Sequence, residues 1–456
     1  MKKYLFLFIC LGLLFISGCD EKKPNDEPPH ECVEGTWVFP EGTKCLEEVL
    51  ATKECNECGA AMEIAVMKKK HNMVTEEKEE TCSEDGYYKE YCTDCDYDYT
   101  ITYPKTEVHE YKYQVIVQAT DRQLGRKLPV CHMCGLEGKL VKYANNGVLD
   151  HGKLSVNGPD LVDEHGEKFQ LIGISTHGLQ WFGHYVNYAT LDALHNEFGI
   201  NVIRLAMYTA EGGYCESDDA KKEYFYQLVA DGIRIATELD MYVIVDWHMV
   251  GADDVKDKNP MYYRNESMEF FSRISAEFKD YNNVLYEIMN EPNGDTTWAS
   301  CTNYANLVIP KIRENTDAIV LVGNPHWTAN LNVVMQKPLV GYENIMYTYH
   351  FYAADHFNTG QVQTAYDKGF PVFISEHGGM ESSGDGAINY EHIEFWYRIL
   401  DQRNISYVAW NLSNSKGSAS ILKPETKSLV DFSDEALKEW GVWYKAWVRK
   451  KFGFSK

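Results

Sequence analysis

The sequence is short of positive charge, and that shortage limits the partners it can have. Its 456 residues contain 44 Lys and Arg against 68 Asp and Glu, which gives a formal net charge of −24 at pH 7. A chain this acidic is repelled by phosphate backbones and by anionic lipid. We therefore expect no nucleic-acid partner and no electrostatic adsorption to acidic membranes, and a neutral or cationic substrate fits better.

Long apolar runs are also missing beyond the first twenty residues. The stretch Leu5–Ile16 is short for a membrane-spanning helix and follows Lys2 and Lys3, a pattern typical of a signal peptide. It ends in Ile16-Ser17-Gly18-Cys19, which resembles a bacterial lipobox. The resemblance implies a signal peptide over residues 1–18, a lipid on Cys19 and an extracytoplasmic protein anchored to a bacterial membrane. An ordinary signal peptide and an uncleaved anchor are the alternatives.

Residues 19–30 are charged and Pro-rich, which predicts a solvated linker without a core. Cysteine and histidine then recur at regular spacing over residues 31–151. Two sets have nearly the same gaps: Cys45, Cys55, Cys58 and His71, then Cys82, Cys92, Cys95 and His109. A third, incomplete copy contains Asp121, Cys131, Cys134 and His151. His30 would open the first copy, and Cys32 has no counterpart in the others.

A Cys-x-x-Cys pair with a further Cys and a His is typical of a tetrahedral zinc site. Metal binding can also fold a unit that is too small to fold alone. The sequence therefore predicts zinc-ribbon-like repeats, with structural zinc held by the four residues of each set. Disulfide bonds are the alternative, because an exported chain meets oxidants. The copies resemble short Cys/His repeats of bacterial surface proteins, which indicates a module and no particular activity.

From residue 152 onward, short apolar runs alternate with segments of helical periodicity. Eight runs are candidate strands: Leu171–Ser175, Asn201–Met207, Tyr242–Trp247, Val284–Met289, Ala318–Val322, Ile345–His350, Val372–Ser375 and Tyr407–Asn411. This pattern predicts an α/β fold, a (β/α)8 TIM barrel over residues 152–456, with its site at the carboxyl ends of the strands. A doubly wound sheet is the alternative, although no glycine-rich phosphate-binding fingerprint follows a strand.

Two of the predicted strands deliver a glutamate at that end. Strand four leads into Asn290-Glu291-Pro292, and strand seven leads into Glu376. Hydrolysis of a glycosidic bond uses two carboxyl groups that flank the bond, and a retaining enzyme holds them about 5 Å apart. Strands four and seven face each other across a barrel, so this separation is feasible.

These glutamates and five further segments together resemble glycoside hydrolase family 5 over about residues 152–450. The segments are Thr176–Trp181, Ile203–Tyr208, Val245–His248, Tyr349–Tyr352 and Ala409–Ser413. The resemblance implies a retaining endo-β-1,4-glucanase of cellulase type, which acts on β-glucan polysaccharide and needs no cofactor for catalysis. The same mechanism on mannan, xyloglucan, xylan or mixed-linkage glucan remains open, as does a non-catalytic glycan-binding surface lipoprotein.

The resemblance also implies residue roles, with Glu291 as acid/base and Glu376 as nucleophile. Ten further residues are expected to support these two or to bind substrate: Arg204, His248, Asn290, His350, Tyr352, Trp410, His177, Trp181, Tyr208 and Lys416. His377 departs from the family, where a large aromatic residue usually follows the nucleophile, and a histidine there can titrate near neutrality. Cys215 and Cys301 could pair, stay free or be buried.

Overall fold

The computed structural model describes residues 33–107, 109, 111–117, 125–143, 146–251 and 256–452. The predicted signal peptide, Cys19 with its predicted lipid, the predicted linker, His30, Cys32 and Asp121 lie outside the described residues. The chain divides into two compact units, Met1–Lys112 with Val130–Gly138 and Tyr113–Pro129 with Lys139–Lys456. The predicted domain boundary after residue 151 stays a prediction.

In the first unit, each of the first two repeat copies forms a three-stranded antiparallel sheet. The strands are Glu34–Val38, Glu48–Cys55 and Ala61–Lys68, then Met73–Lys78, Gly86–Cys92 and Asp98–Tyr103. Both central strands end at the first cysteine of a Cys-x-x-Cys pair. Within the described residues 33–107, the only fully buried hydrophobic residues are Ala51, Cys55 and Cys92. These sheets therefore have almost no hydrophobic core.

The metal-ligating side chains of the first unit cluster across successive copies. A cysteine and a histidine of one copy lie beside the Cys-x-x-Cys pair of the next copy. The first cluster is Cys45, His71, Cys92 and Cys95, and the second is Cys82, His109, Cys131 and Cys134. The predicted grouping within each copy, which placed Cys55 and Cys58 beside Cys45, is therefore wrong. The reason is strand length, because the eight residues of Glu48–Cys55 span roughly 25 Å and separate Cys45 from Cys55.

The second unit contains a closed barrel of eight parallel strands, which confirms the predicted (β/α)8 fold. In chain order the strands are β1 (Ile172–Thr176), β2 (Val202–Tyr208), β3 (Tyr242–His248), β4 (Val284–Glu287), β5 (Val320–Val322), β6 (Ile345–Tyr352), β7 (Val372–Gly378) and β8 (Tyr407–Leu412). Pairing of β1 with β8 closes the barrel. The strands Tyr111–Val117, Gly125–Cys131 and Val141–Tyr143 form a separate sheet that precedes it in the chain.

Helices follow the barrel strands. The longer ones are Tyr188–Phe198, Asp219–Glu238, Arg264–Glu277, Trp298–Arg313, Gly360–Asp367, Tyr390–Gln402 and Glu439–Lys451. Shorter helices are Val148–His151, which precedes the barrel, Leu179–Phe182 and Leu331–Gln336, and Pro325–Thr328 forms one further turn in which three residues have positive φ angles. Within the described ranges, no helix combines the length and the apolar character that a membrane crossing needs. Cys215 and Cys301 are both free thiols, and Cys301 is buried in its helix.

Inward-facing apolar side chains fill the lower half of the barrel. They are Val202, Tyr242, Ile244, Leu285, Ile319, Leu321, Met346, Phe373 and Val408. Leu154 and Leu161, from the hairpin Ser155–Asn157 and Asp160–Val162, belong to the same cluster. Because most of these residues lie early in their strands, the hairpin closes the amino-terminal end of the barrel. The carboxyl end is left for polar residues.

Truncation of this interior should destabilise the barrel. Leu321 is fully buried, so we expect Leu321→Ala to lower the free energy of unfolding by about 2–5 kcal/mol through lost contacts and a residual cavity. Leu307→Ala is the matched control, because Leu307 is 39% exposed and should cost less than about 1 kcal/mol. Urea unfolding followed by tryptophan fluorescence measures both, and equal losses would contradict the assigned core.

Candidate active site

Glu291 and Glu376 meet at the carboxyl end of the barrel. Glu376 lies within β7, and Glu291 is the fourth residue after β4. A carboxylate oxygen of Glu291, one of Glu376 and a ring nitrogen of His350 all lie within 4.8 Å of one another. Such a separation suits direct attack by one carboxylate while the other transfers a proton, and it is too short for the intervening water of an inverting mechanism.

Arg204 is the centre of an ion-pair network beneath these glutamates. Its Nε lies 2.7 Å from Glu287, its Nη1 lies 3.2 Å from Glu376, and its Nη2 lies 3.0 Å from Asp246. Nη2 also donates to Oδ1 of Asn290 at 2.6 Å. Burial opposes the charge of the guanidinium, but the three carboxylates raise its pKa. Arg204 is therefore a permanent cation that fixes the position of Glu376.

Both carboxylate oxygens of Glu376 are held from within the protein. Oε2 accepts from Arg204, and Oε1 accepts from the hydroxyl of Tyr352 at 2.8 Å. Burial, followed by the nearby carboxylates, raises the pKa of Tyr352 well above its usual value, so this hydroxyl stays a donor. The nucleophile predicted from sequence is thus oriented by the two partners that were expected to support it.

His350 connects Glu291 to the buried network. Its Nδ1 lies 2.8 Å from Oε1 of Glu291, and its Nε2 lies 2.9 Å from Oγ of Ser375. Ser375 in turn donates to Glu287 at 2.6 Å. Burial opposes a charge on His350, but its interactions with Glu287 and Glu291 raise its pKa to about 9. The imidazolium therefore donates to Glu291 and sets the orientation of that carboxyl group.

His248 is held in the neutral state on the other side of the site. Burial and the positive charge of Arg204 lower its pKa to about 3, so its Nδ1–H donates to Asp246 at 2.6 Å. Its Nε2 lies 3.4 Å from Nδ2 of Asn290, which also donates to the carbonyl of Met249 at 3.1 Å. The protein thus fixes the amide of Asn290, and its expected part in substrate binding stays a prediction.

Aromatic rings line the site next to His248. The Trp410 ring stacks on His248 with centroids 5.1 Å apart, and the Tyr208 ring lies 4.2 Å from His248. His177 lies 5.2 Å from Trp410, and burial lowers its pKa to about 4. Trp181 lies 5.1 Å from Tyr208 and is 45% exposed. Trp181 therefore offers an exposed ring face on which a sugar can stack.

Lys416 and His377 do not join this network. Lys416 is exposed, and within the described residues only its carbonyl is engaged, by Nζ of Lys438 at 2.9 Å. The ring of His377 lies between the carbonyl of Val408 at 2.8 Å and the hydroxyl of Tyr397 at 2.6 Å. Burial lowers the pKa of His377 to about 3, so the expectation that it titrates near neutrality is wrong. The pairing register of β7 shifts at Ser375 and Glu376, which both face the interior, and His377, the next residue, faces the helices.

The sequence prediction missed three fully buried polar residues, Asp246, Glu287 and Ser375. Burial opposes the charge of Glu287, but Arg204 and His350 lower its pKa to about 2. A signal was present, because a carboxylate inside an apolar strand implies a buried partner.

Trp327 lies beside the loop that carries Glu291 and is not among the residues predicted from the sequence. Its side chain is 54% exposed, and its backbone N–H donates to the carbonyl of Pro292, the residue after Glu291. His326, Trp327 and Thr328 all have positive φ angles, and such strained backbone is frequent at functional sites. Residue types alone do not predict this conformation, because none of the three residues is glycine.

The pKa values of two histidines predict opposite effects on stability. The pKa of His350 is raised from its ordinary 6.5 to about 9, so its stabilising contribution is complete below about pH 6.5 and disappears as the pH rises to about 9. We therefore expect His350→Gln to destabilise the protein more at about pH 6 than at about pH 9.5.

His377→Gln provides the matched control. Because the pKa of His377 is lowered to about 3, its contribution is present above about pH 6.5 and is lost on acidification. Unfolding free energies across this pH range measure both variants. A destabilisation by His350→Gln that grows between about pH 6.5 and 9 would contradict the assigned charge.

Comparison with known proteins agrees with this geometry. Residues 162–416, more than half of the chain, match the family Cellulase (glycosyl hydrolase family 5). Endoglucanase A of Butyrivibrio fibrisolvens is 43% identical over 297 residues, which cover 64% of this chain and 68% of that protein. An endoglucanase of Clostridium saccharobutylicum is 38% identical over 308 residues, 67% of this chain and 66% of its own length. The chain thus spans about two thirds of these relatives.

Solved structures give the same result. Cellulase Cel5C_n superposes with a TM-score of 0.64 at 36% identity, over 67% of this chain and 95% of that structure. The catalytic domain of Thermobifida fusca endoglucanase Cel5A, in complex with cellotetraose, gives a TM-score of 0.62 at 35% identity over 66% and 99% of the two chains. The range that matches the family includes all eight barrel strands and both glutamates. The chain is a glycosidase and belongs to the cellulases of glycosyl hydrolase family 5.

Proposed function

We propose that this protein is an endo-β-1,4-glucanase that cleaves internal bonds of cellulose-type glucan with retention of anomeric configuration. The observation that carries the proposal is the approach of Glu291 and Glu376, whose oxygens lie within 4.8 Å of each other and of His350. Relatives named endoglucanase at 38–43% identity support the activity. The cellotetraose bound to the Thermobifida fusca relative supports a β-1,4-glucan substrate.

In the first step, Glu376 attacks the anomeric carbon while Glu291 gives its proton to the leaving glycosidic oxygen. The bond to the leaving sugar breaks, and a glycosyl ester forms on Glu376. Arg204 and Tyr352 hold Glu376 for this attack, at 3.2 and 2.8 Å. His350, 2.8 Å from Glu291, orients the proton donor towards the glycosidic oxygen.

In the second step, the Glu291 carboxylate takes a proton from water, and the water oxygen attacks the anomeric carbon. The ester bond to Glu376 breaks, which releases the sugar and restores both residues. Two displacements at the same carbon give net retention. The reaction needs no cofactor, and any metal in this protein is proposed to be structural and to lie in the Cys/His repeats.

Neutral isosteres of the two glutamates test their roles on carboxymethylcellulose. We expect Glu291→Gln to lower kcat by about 10²–10⁴-fold, because proton transfer to the leaving oxygen is lost. Glu376→Gln removes the attacking carboxylate and should cost at least as much. Glu394→Gln is the control, since this residue is exposed on the helix Tyr390–Gln402. A variant of either catalytic glutamate that retained more than about one per cent of the activity would lose its assigned role.

The substrate and the stereochemistry are tested together by a panel of polysaccharides and by proton NMR of the first product. We expect β-1,4-glucans to be cut faster than mannan, xylan or xyloglucan, and the β-anomer to form before mutarotation. A mannan rate above the glucan rate would contradict the proposed substrate. An α-anomer formed first would contradict the double displacement.

We also propose that a lipid on Cys19 anchors the enzyme to a bacterial membrane outside the cytoplasm. The resemblance of Ile16-Ser17-Gly18-Cys19 to a lipobox supports the anchor. A position outside the cytoplasm would place the barrel where an insoluble polymer can reach it. In a bacterial host, Cys19→Ala should move the protein from the membrane fraction to the soluble fraction, whereas Cys32→Ala should leave it bound. Membrane binding of both variants to the same extent would contradict the lipid anchor.

A further inference from the structure

Outside the barrel, the two cross-copy clusters of cysteine and histidine have nearly the same geometry. In the first cluster, Sγ of Cys45 lies 3.6 Å from Sγ of Cys92, and Sγ of Cys95 lies 3.3 Å from Nδ1 of His71. In the second cluster the corresponding distances are 3.5 Å and 3.3 Å; they join Cys82 to Cys131 and Cys134 to His109. All four ligand atoms of each cluster lie within 4.8 Å of one another.

These distances fit a four-coordinate zinc ion. Zinc binds thiolate sulfur at about 2.3 Å and imidazole nitrogen at about 2.0–2.1 Å, so ligand atoms at the corners of a tetrahedron lie roughly 3.5–3.8 Å apart. Three thiolates and one imidazole form an all-protein set that leaves no open position, which is typical of structural zinc. A disulfide would use only two of the three sulfurs in a cluster, and it would not explain why each cluster also contains a histidine.

The Cys-x-x-Cys turns are shaped for thiolate ligands. The backbone N–H of Cys92 donates to the carbonyl of Tyr97 at 2.9 Å, and that of Cys131 donates to Leu136 at 2.8 Å. Each pair is thereby held at the tip of a tight hairpin, with both sulfurs on one side. The backbone N–H of Asp94 also points at Sγ of Cys92, at 3.4 Å, and a donor in this position stabilises negative charge on sulfur.

The third copy supports the sharing of ligands between neighbours. No Cys-x-x-Cys pair follows Cys134 in the sequence, so the third copy has no downstream partner. At the position of Cys45 and Cys82 it carries Asp121. Its histidine, His151, instead lies 2.7 Å from Asp163 in the barrel unit. The third copy thus lacks both a downstream Cys-x-x-Cys pair and the cysteine that would bind zinc together with that pair. Grouping of the ligands within a copy does not explain why these two losses occur together.

We propose that each cluster binds one zinc ion and that each ion joins one repeat to the next. The sheets of the first unit bury almost no apolar side chains, so the free energy of metal binding replaces that of a hydrophobic core. The ions also fix the order of the repeats, because the four ligands of each cluster found among the described residues come from two successive copies. This inference is independent of the glucanase activity.

Paired substitutions in the full chain distinguish the two possible groupings. With ligands shared across copies, Cys45→Ser with Cys92→Ser disables one site, whereas Cys82→Ser with Cys92→Ser disables two. Zinc per chain, measured by inductively coupled plasma mass spectrometry, should fall by one equivalent in the first variant and by two in the second. Grouping within copies predicts the reverse. Cys301→Ser should lose no zinc, and unchanged carboxymethylcellulase activity would show that the barrel of each variant is folded.

Alkylation of the same proteins gives a site-resolved second measurement, which does not depend on total metal. In the single variant Cys45→Ser, iodoacetamide should label Cys92 and Cys95, while Cys131 and Cys134 stay protected until a chelator is added. Protection of Cys92 and Cys95 in this variant would overturn the proposal that Cys45 shares a zinc site with them. A purified wild-type chain that contains no zinc, or that carries these six cysteines as disulfides, would overturn the metal sites altogether.

Discussion

The active site depends on one buried cation. The guanidinium of Arg204 contacts the carboxylates of Asp246, Glu287 and Glu376 at 2.7 to 3.2 Å, and none of its surface is exposed. Removing one member of such a buried network leaves an uncompensated charge, which costs several kcal/mol. The network therefore fixes the nucleophile, and through Glu287, Ser375 and His350 it also fixes the proton donor. The same contacts thus orient the two catalytic carboxylates and make the loss of any one partner costly.

The order of the strands explains which parts of this site could be predicted from the sequence. The apolar runs are sufficient to predict the barrel. The glutamates at the strand ends then identify Glu291 and Glu376 as a pair, because the fold brings the carboxyl ends of its strands together. The direction in which each side chain points was harder to predict. His377 follows the nucleophile in the chain but packs against Tyr397 on the helix side. Asp246 and Glu287 lie within apolar strands, and the buried Arg204 between them is the partner that explains their charges.

In the repeats, the sequence identifies the metal-ligating residues but not how they are grouped. Regular spacing identified the cysteines and histidines, but it could not tell which of them share a site. The decisive quantity is the length of the strand between Cys45 and Cys55, which places residues that are neighbours in the motif far apart in space. Their partners come from the next copy, as Cys92 and Cys95 do for Cys45. A single sequence does not show how one copy is placed against the next, and this placement decides which residues share a cluster.

In the proposed mechanism, Glu376 becomes covalently bonded to the substrate while Glu291 carries the proton. A 2-deoxy-2-fluoro-cellobioside with a good leaving group slows breakdown of the glycosyl ester more than its formation, so the intermediate accumulates and can be digested. Mass spectrometry of the peptides should then place one fluorocellobiosyl group on Glu376. A label on Glu291 or on any other side chain, or turnover without any covalent species, would exclude Glu376 as the nucleophile.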